Sequence, residues 1–256
     1  MSRGLALELI HKHVCRPAVV CGGGQSLPEQ LKRCPADAIY ISANQHGCIA
    51  HRDGHLARQC DYIMVVDGIE TKVFQRPDGT TYSLRDFGVP IISPRPAGDY
   101  WLFEQCAPGS GIMAAWIAWA MGCAPIIMAG IDCYQGATYF HDARAKSSGR
   151  AVTTARHVER WGTLMVHAPG GQIRSLGGPL TKIFPAYSPD EPASAPPNHA
   201  RVHARMSGTW VQFTRACSEV TAPRQYSPGD RAELSRKIAK RCVQRGFAKL
   251  LEECAA

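Results

Sequence analysis

The stretch GSGIMAAWIAWAMGCAPIIMAGID, residues 109–132, decides the fold of this sequence. Residues 112–131 carry no charged side chain, and an apolar run of that length suffices to cross a bilayer. Gly122 and Pro125 interrupt the run, however, and neither flank is basic, which argues against a membrane span. The stretch therefore predicts a buried helix over 111–121, a turn, and a strand that is buried on both faces.

Short apolar runs alternate with helix-like segments around this stretch. Predicted strands cover 17–22, 38–44, 62–68 and 89–94, and predicted helices cover 27–35, 48–59 and 153–168. Strands that alternate with helices are typical of a parallel sheet with helices on both faces. The sequence thus predicts an α/β fold, a Rossmann-like doubly wound parallel sheet.

The composition changes after about residue 185. Residues 1–185 are expected to form a nucleotide-binding α/β domain, and the Pro-rich residues 186–229 a loop or linker. Residues 230–256 predict a C-terminal amphipathic helix as a helical appendage. This helix starts with a capping-box pattern at Asp230 and Glu233, and it has one apolar and one basic face.

Charge and cysteine usage limit the partners and the compartment. The formal net charge of +8 favours anionic partners such as nucleotides, nucleic acid, acidic glycans or a lipid surface. The 11 cysteines form no paired CxxC motif, and the N-terminal residues lack a secretory leader pattern. We therefore expect a cytoplasmic protein with mostly reduced thiols and no transmembrane segment.

Polar groups follow three consecutive predicted strands, which is where an open α/β sheet binds its ligand. Gly22, Gly23 and Gly24 follow the first strand, Asn44 the second and Asp67 the third. A tight glycine turn can present bare backbone amides to a phosphate, although a plain turn is an equal alternative. The run matches neither the dinucleotide fingerprint, because Leu27 replaces its third glycine, nor the Walker A loop.

The stretch that decides the fold also carries candidate ligand groups. Ser110 either caps the buried helix with its hydroxyl or helps the helix terminus to hold a phosphate. Asp132 ends the buried strand, and Tyr134, Tyr139 and His141 follow it. An acid at a strand end beside tyrosines and a histidine is typical of the wall of a polar pocket.

These motifs together resemble the family 42 glycosyltransferases, bacterial sialyltransferases that use CMP-sialic acid. VVCGGGQSL at 19–27, ISANQ at 41–45 and residues 109–142 carry the resemblance, which covers about residues 17–165. Similarity to the motility-associated factors of flagellin glycosylation and to 6-hydroxymethylpterin diphosphokinases is weaker. The resemblance implies a metal-independent, inverting transferase that needs no cofactor and takes a CMP-sugar donor as substrate.

The resemblance also implies roles for matching residues. The loop Gly22, Gly23, Gly24, Gln25 and Ser26 would border the donor phosphate or sugar carboxylate. The other implied donor contacts are Asn44 at the nucleotide, Ser110 and Gly111 at the sugar, Asp132 at the ribose, and Tyr134 and Tyr139 at the departing phosphate. Asp67 occupies a position at which these enzymes have an asparagine. This difference would change which donor the site binds.

The catalytic base departs from the family pattern. The family places a histidine before the helix that follows the Gly-Ile-Asp strand, whereas this chain has residues 147–150, SSGR, there. His141 is the nearest substitute, and a histidine suits general-base work near neutral pH. The sequence leaves three outcomes open: His141 has taken the role, the reaction differs, or there is no reaction.

A metal site is the less favoured interpretation of a further motif. Cys48, His51, His55 and Cys60 have metal-capable side chains, but their spacing is not that of a standard zinc finger. A polar helix face with buried thiols accounts for them, so the sequence predicts no metal.

Three functions remain after these observations. The leading one is a sialyltransferase-like glycosyltransferase that transfers a sugar from a CMP-type donor to the hydroxyl of a glycan or another acceptor. An anionic acceptor fits the basic residues Arg144, Lys146 and Arg150. The alternatives are an ATP-dependent diphosphotransferase and a non-catalytic nucleotide- or nucleic-acid-binding protein of a phage or mobile element. The sequence leaves the oligomeric state open, a homo-oligomer included.

Overall fold

A central sheet of eight strands, all parallel, organises the structure. The computed structural model describes residues 4–66, 68, 72–76, 78–95, 98–101, 109–133, 138–146, 154–167, 172–190, 209–213, 231–234, 240, 242–244 and 248–250. The strands of the sheet are β1 (Gly4–Leu5), β2 (Ala18–Cys21), β3 (Ile39–Ala43), β4 (Tyr62–Met64), β7 (Ile91–Ser93), β8 (Tyr100–Trp101), β9 (Ile126–Ala129) and β12 (Ile173–Ser175). Their spatial order is β1-β8-β7-β4-β3-β2-β9-β12.

Smaller strands and further helices complete the described structure. Two hairpins pair β5 (Val73–Gln75) with β6 (Thr81–Ser83) and β10 (Thr138–Tyr139) with β11 (Asp142–Lys146). The helices are α1 (Leu27–Leu31), α2 (His46–Arg52), α3 (Ser110–Ala120) and α4 (Thr154–His167). Three 3₁₀ helices cover Ala6–Leu9, Leu84–Phe87 and Gly178–Lys182.

The apolar core lies on both faces of the sheet because side chains alternate along each strand. On β2, Ala18 and Val20 join the cluster that contains α3, whereas Val19 and Cys21 join the cluster on the opposite face. Both faces are therefore covered, and the predicted α/β class with its Rossmann-like parallel sheet is confirmed.

The stretch at 109–132 folds as predicted into a buried helix, a turn and a buried strand. All residues of α3 except Gly111 are buried, including Trp116 and Trp119, so this helix is apolar around its whole circumference. Every residue of β9 is buried as well. Among the residues that the structure describes, no helix has the length and apolar character that crossing a membrane requires.

The second helix is shorter than its sequence suggests. The predicted helix over 48–59 is instead α2, which begins at His46 and ends at Arg52. Gly54 follows it with a positive φ of +78°, a conformation that ends helices and that residues with side chains seldom adopt. The early start matters for function because it brings His46 to the end of β3.

The C-terminal segment also differs from its predicted helix. Strands β13 (Thr209–Phe213), β14 (Arg231–Leu234) and β15 (Ala248–Leu250) form an antiparallel sheet in the order β14-β13-β15. The first of these lies in the predicted linker, and the other two lie in the predicted amphipathic helix. Within that predicted helix, residues 240 and 242–244 are helical. β13 is rich in Thr, Trp, Val and Phe, residues that favour strands. Pairing with this strand stabilises β14 and β15 as strands, although the apolar residues in this region have the spacing of a helix.

We expect the free energy of unfolding to respond strongly to truncation in the centre of the sheet. Ile41 on β3 is fully buried, so Ile41→Ala should cost about 2–5 kcal/mol in equilibrium urea denaturation. Val73 on the β5–β6 hairpin is 63% exposed, and Val73→Ala should stay within about 0.5 kcal/mol. Equal losses for the two variants would contradict the placement of the core.

Candidate functional site

The strand order creates a crevice at the carboxyl edge of the sheet. β2 lies between β3 and β9. The next strand of this sheet after β2 is β3, on one side of the β2–β9 pair, and the next after β9 is β12, on the other side. Such a switch in strand order is where open α/β sheets bind ligands. The residues that follow β2, β3 and β9 therefore form the candidate site.

The glycine loop after β2 packs directly against the turn after β9. The amide of Gly22 donates to the Ala129 carbonyl at 2.7 Å, and the amide of Gly24 donates to the Gly130 carbonyl at 2.8 Å. A Cβ at Gly22 would collide with the Gly130 carbonyl oxygen, and one at Gly24 would collide with the Asp132 carboxylate. The glycines are thus required by close contact between two turns.

This arrangement corrects the expectation that the loop presents bare glycine amides to a phosphate. Two of the three glycine amides are used by the turn after β9. Within the described part of the chain, only the amides of Gly23 and Gln25 donate no hydrogen bond among residues 22–26. Gln25 instead joins the β10–β11 hairpin, since its side-chain amide donates to Thr138 Oγ1 at 2.6 Å.

Asp132 is held by Ser26 through both of its carboxylate oxygens. The Ser26 amide donates to Oδ2 at 3.0 Å, and the Ser26 hydroxyl donates to Oδ1. A carboxylate accepts about four hydrogen bonds, so two acceptor positions of the half-buried Asp132 remain for a ligand hydroxyl. Ser26 therefore orients the acid as well as bordering the crevice.

Asn44 and Ser110 connect the end of β3 to the start of α3. The Ser110 hydroxyl donates to Asn44 Oδ1 at 2.8 Å and accepts the Val66 amide at 3.1 Å. The prediction that this hydroxyl caps α3 is wrong: Gly109 is the N-cap, without a side-chain cap. The first amides of α3, from Ser110 and Gly111, have no partner one turn earlier in the helix, which favours an anion there.

The β10–β11 hairpin brings a histidine and a tyrosine over the glycine loop. The Phe140 amide donates to the Gly23 carbonyl at 3.1 Å. His141 Nε2 lies 3.0 Å from Nδ1 of His46, and the rings of His141 and Tyr139 stack at 5.6 Å. A Cβ at Gly23 would lie 2.6 Å from both His46 Cε1 and Tyr139 Cδ1. The predicted His141 and Tyr139 thus do lie at the glycine loop.

His46 is the site residue that sequence reasoning missed. It follows Asn44 and Gln45 directly, and its own position at a strand end was the available signal. Its side chain is 5% exposed. Burial, and secondarily His141, lowers the pKa of His46 to about 3, and burial lowers the pKa of His141 as well. Both imidazoles are consequently neutral at neutral pH.

Gln45 directly precedes His46 in the sequence and carries an acceptor without a hydrogen bond among the described residues. It is 9% exposed, and its Oε1 atom is buried without a hydrogen bond in the described structure. A buried acceptor without a hydrogen bond destabilises the folded protein by about 1–3 kcal/mol, and a ligand that donates a hydrogen bond to it removes this penalty. Gln45 belongs to the motif at 41–45, and its buried acceptor makes it a further candidate ligand group to which the sequence pattern assigned no role.

The remaining predicted residues divide into two groups. Asp67, Tyr134 and residues 147–150 lie outside the described residues. The Cys48 and Cys60 thiols are buried, and their mutual contact and burial raise the pKa of Cys48. His51 Nδ1 lies 2.9 Å from the Leu56 carbonyl, and no three potential metal ligands gather in the part of the chain that the structure describes.

The chain matches no family model and no curated protein. Among solved structures it is similar to a MAf glycosyltransferase from Magnetospirillum magneticum AMB-1, with 13% sequence identity and a TM-score of 0.44. The similarity covers 80% of this chain and 43% of that protein, so the chain spans less than half of its length. This likeness is too distant to carry a conclusion about activity.

We expect Gly24→Ala to destabilise the protein by about 1–3 kcal/mol, because the added methyl group meets the Asp132 carboxylate and the Gly130 carbonyl. Gly162 in α4 has open space at its Cβ, and Gly162→Ala should stabilise by about 0.5–1 kcal/mol. Thermal and urea denaturation of the two variants measure both effects. A Gly24→Ala variant as stable as wild type would contradict the close approach of the two turns.

The free energy of unfolding should fall as the pH is lowered from about 6.5 toward 4. Below its ordinary pKa of about 6.5, an unfolded histidine takes up a proton that folded His46 does not bind, so acid favours the unfolded chain. His46→Gln should make this pH dependence shallower in urea denaturation at pH 7, 6 and 5. The lowered pKa values of His157, His141 and His13 leave a residual slope. An unchanged slope in His46→Gln would contradict the neutral buried state of His46.

Proposed function

We propose that the chain is a glycosyltransferase that transfers an acid sugar from a CMP-linked donor to an acceptor hydroxyl, with inversion and without a metal. The observation that carries this proposal is the convergence at the switch point of a carboxylate clamped by Ser26, the N-terminus of α3, and an uncharged histidine. The motif resemblance at 19–27, 41–45 and 109–142 supports the CMP-sugar class.

The donor is bound through its ribose and its anionic groups. Asp132 accepts hydrogen bonds from the ribose hydroxyls with the acceptor positions that Ser26 leaves open. The first amides of α3 and those of Gly23 and Gln25 attract the phosphate or the sugar carboxylate. Asn44, fixed by Ser110, contacts the nucleotide. The basic character of the chain, a formal net charge of +8, favours such a dianionic ligand.

The transfer is a single displacement at the anomeric carbon of the donor. The acceptor oxygen forms a bond to this carbon, the bond to the phosphate oxygen breaks, and CMP leaves with the electron pair. His141 takes the proton of the acceptor hydroxyl, which is the work of a general base. Tyr139 lies beside His141 and, with Tyr134, donates to the departing phosphate. The acceptor is a glycan or another hydroxyl compound.

A nucleotide panel tests the proposal against the two alternatives. Isothermal titration with CMP, with ATP plus Mg²⁺ and with a short DNA duplex separates a CMP-sugar transferase, a diphosphotransferase and a nucleic-acid-binding protein. The proposal requires CMP to bind. Binding of ATP and Mg²⁺ or of DNA, without binding of CMP at millimolar concentration, would overturn it.

We expect Asp132→Asn to weaken CMP about 10- to 100-fold, because replacing a charged acceptor of ribose hydroxyls costs about 1.5–3 kcal/mol. Asp78→Asn is the matched control: Asp78 lies in the turn of the β5–β6 hairpin, where it accepts hydrogen bonds from Thr80, and it has no part in the proposed donor site. Its CMP affinity should equal that of wild type. Retained affinity in Asp132→Asn would remove Asp132 from the ribose site.

A further inference from the structure

We propose that His46 is the positioning residue of this site, which accepts the Nε2–H of His141 and thereby leaves His141 Nδ1 as the proton acceptor. This inference rests on the proposed function insofar as His141 is the base. Its direct evidence is the 3.0 Å separation between His46 Nδ1 and His141 Nε2.

Several contacts fix the position of His46. It begins α2 immediately after β3, and its ring lies 4.6 Å from the Tyr139 ring. The absence of a side chain at Gly23 leaves the space that the two rings occupy. His141 belongs to the hairpin that the Phe140 amide ties to the Gly23 carbonyl. The contact between the His46 and His141 rings thus joins α2 to the β10–β11 hairpin.

When both rings are neutral, a hydrogen bond between His46 Nδ1 and His141 Nε2 requires that one of these two nitrogens carries the proton and the other accepts it. The pair therefore has two possible arrangements. Donation from His46 Nδ1 to His141 Nε2 would leave His141 without a lone pair for a substrate. Donation from His141 Nε2 to His46 Nδ1 leaves the Nδ1 lone pair of His141 for a hydroxyl. The second arrangement also strengthens as His141 gains a proton, since a charged donor makes a stronger hydrogen bond than a neutral one.

The charged groups around the pair act mainly on His141. Asp142 and Asp53 favour its protonated form, whereas burial and Arg52 oppose it. His46 faces Tyr139 and His141, and burial lowers the pKa of His46 to about 3, so it is a neutral acceptor at neutral and mildly acidic pH. This division allows His46 to hold His141 in both protonation states.

The tautomer of His141 tests the inference without any substrate. Long-range ¹H–¹⁵N correlation spectra of histidine-labelled protein, assigned with His141→Gln, should show His141 protonated at Nε2 and unprotonated at Nδ1 at neutral pH. His46→Gln retains an acceptor oxygen and should preserve this tautomer. His46→Leu removes the acceptor and should give a mixture of both tautomers. Circular dichroism and thermal melting establish that the variants fold.

Two results would overturn the inference: a wild-type His141 protonated at Nδ1, or an unchanged tautomer in folded His46→Leu. If neither variant folds, the wild-type spectrum decides alone. Once a CMP-sugar is shown to be turned over, His46→Leu should lower kcat about 10-fold without changing KM for the donor, and His46→Gln should restore most of kcat. Absence of CMP binding would refute the proposed function and leave the tautomer result intact.

Discussion

The contact between the turns after β2 and β9 is the constraint on which the site depends. Amides of the glycine loop donate to the carbonyls of Ala129 and Gly130, so the two turns continue the pairing of the strands beyond the sheet edge. Ser26 then reaches Asp132 with its amide and its hydroxyl. Any side chain at Gly22 or Gly24 would separate the turns and displace the acid.

The crevice gathers polar groups at the edge of a mainly apolar interior. The side chains that form the clusters on the two faces of the sheet are aliphatic, aromatic or sulfur-containing side chains, and a buried polar group needs a hydrogen-bond partner. At this edge the Ser110 hydroxyl donates a hydrogen bond to Asn44 and accepts one from the Val66 amide, and His46 and His141 are within hydrogen-bond distance of each other. Each of these groups is fixed by a partner from a different segment, which keeps this part of the site geometry defined before a ligand arrives.

The fold was predictable from sequence because its signals are local. The charge-free run at 112–131 is too long for one strand and is interrupted by Gly122 and Pro125, so it specifies a helix followed by a strand. Once the strands are placed, chain order puts Asn44 and Asp132 at one edge of the sheet. The positions of these two residues required no knowledge of contacts.

The parts that escaped prediction depend on partners far along the chain. The hydroxyl of Ser110 bonds to Asn44, 66 residues away, instead of to its own helix. His46 lies opposite a residue of a hairpin, and its burial is invisible in the sequence. At the C-terminus, Leu234, Ile238 and Cys242 have helical spacing, but residues 231–234 pair with β13. Tertiary pairing decided each of these outcomes.

The β10–β11 hairpin gives the site an order of assembly. A two-stranded hairpin is at best marginally stable alone in water, so its conformation depends on docking. It docks through Phe140 to Gly23 and through Thr138 to Gln25, both on the glycine loop. The loop in turn exists only where β2 and β9 are already paired. The half of the crevice that contains Asp132 therefore does not depend on the hairpin, whereas the half that carries His141 requires the hairpin to be docked on the glycine loop.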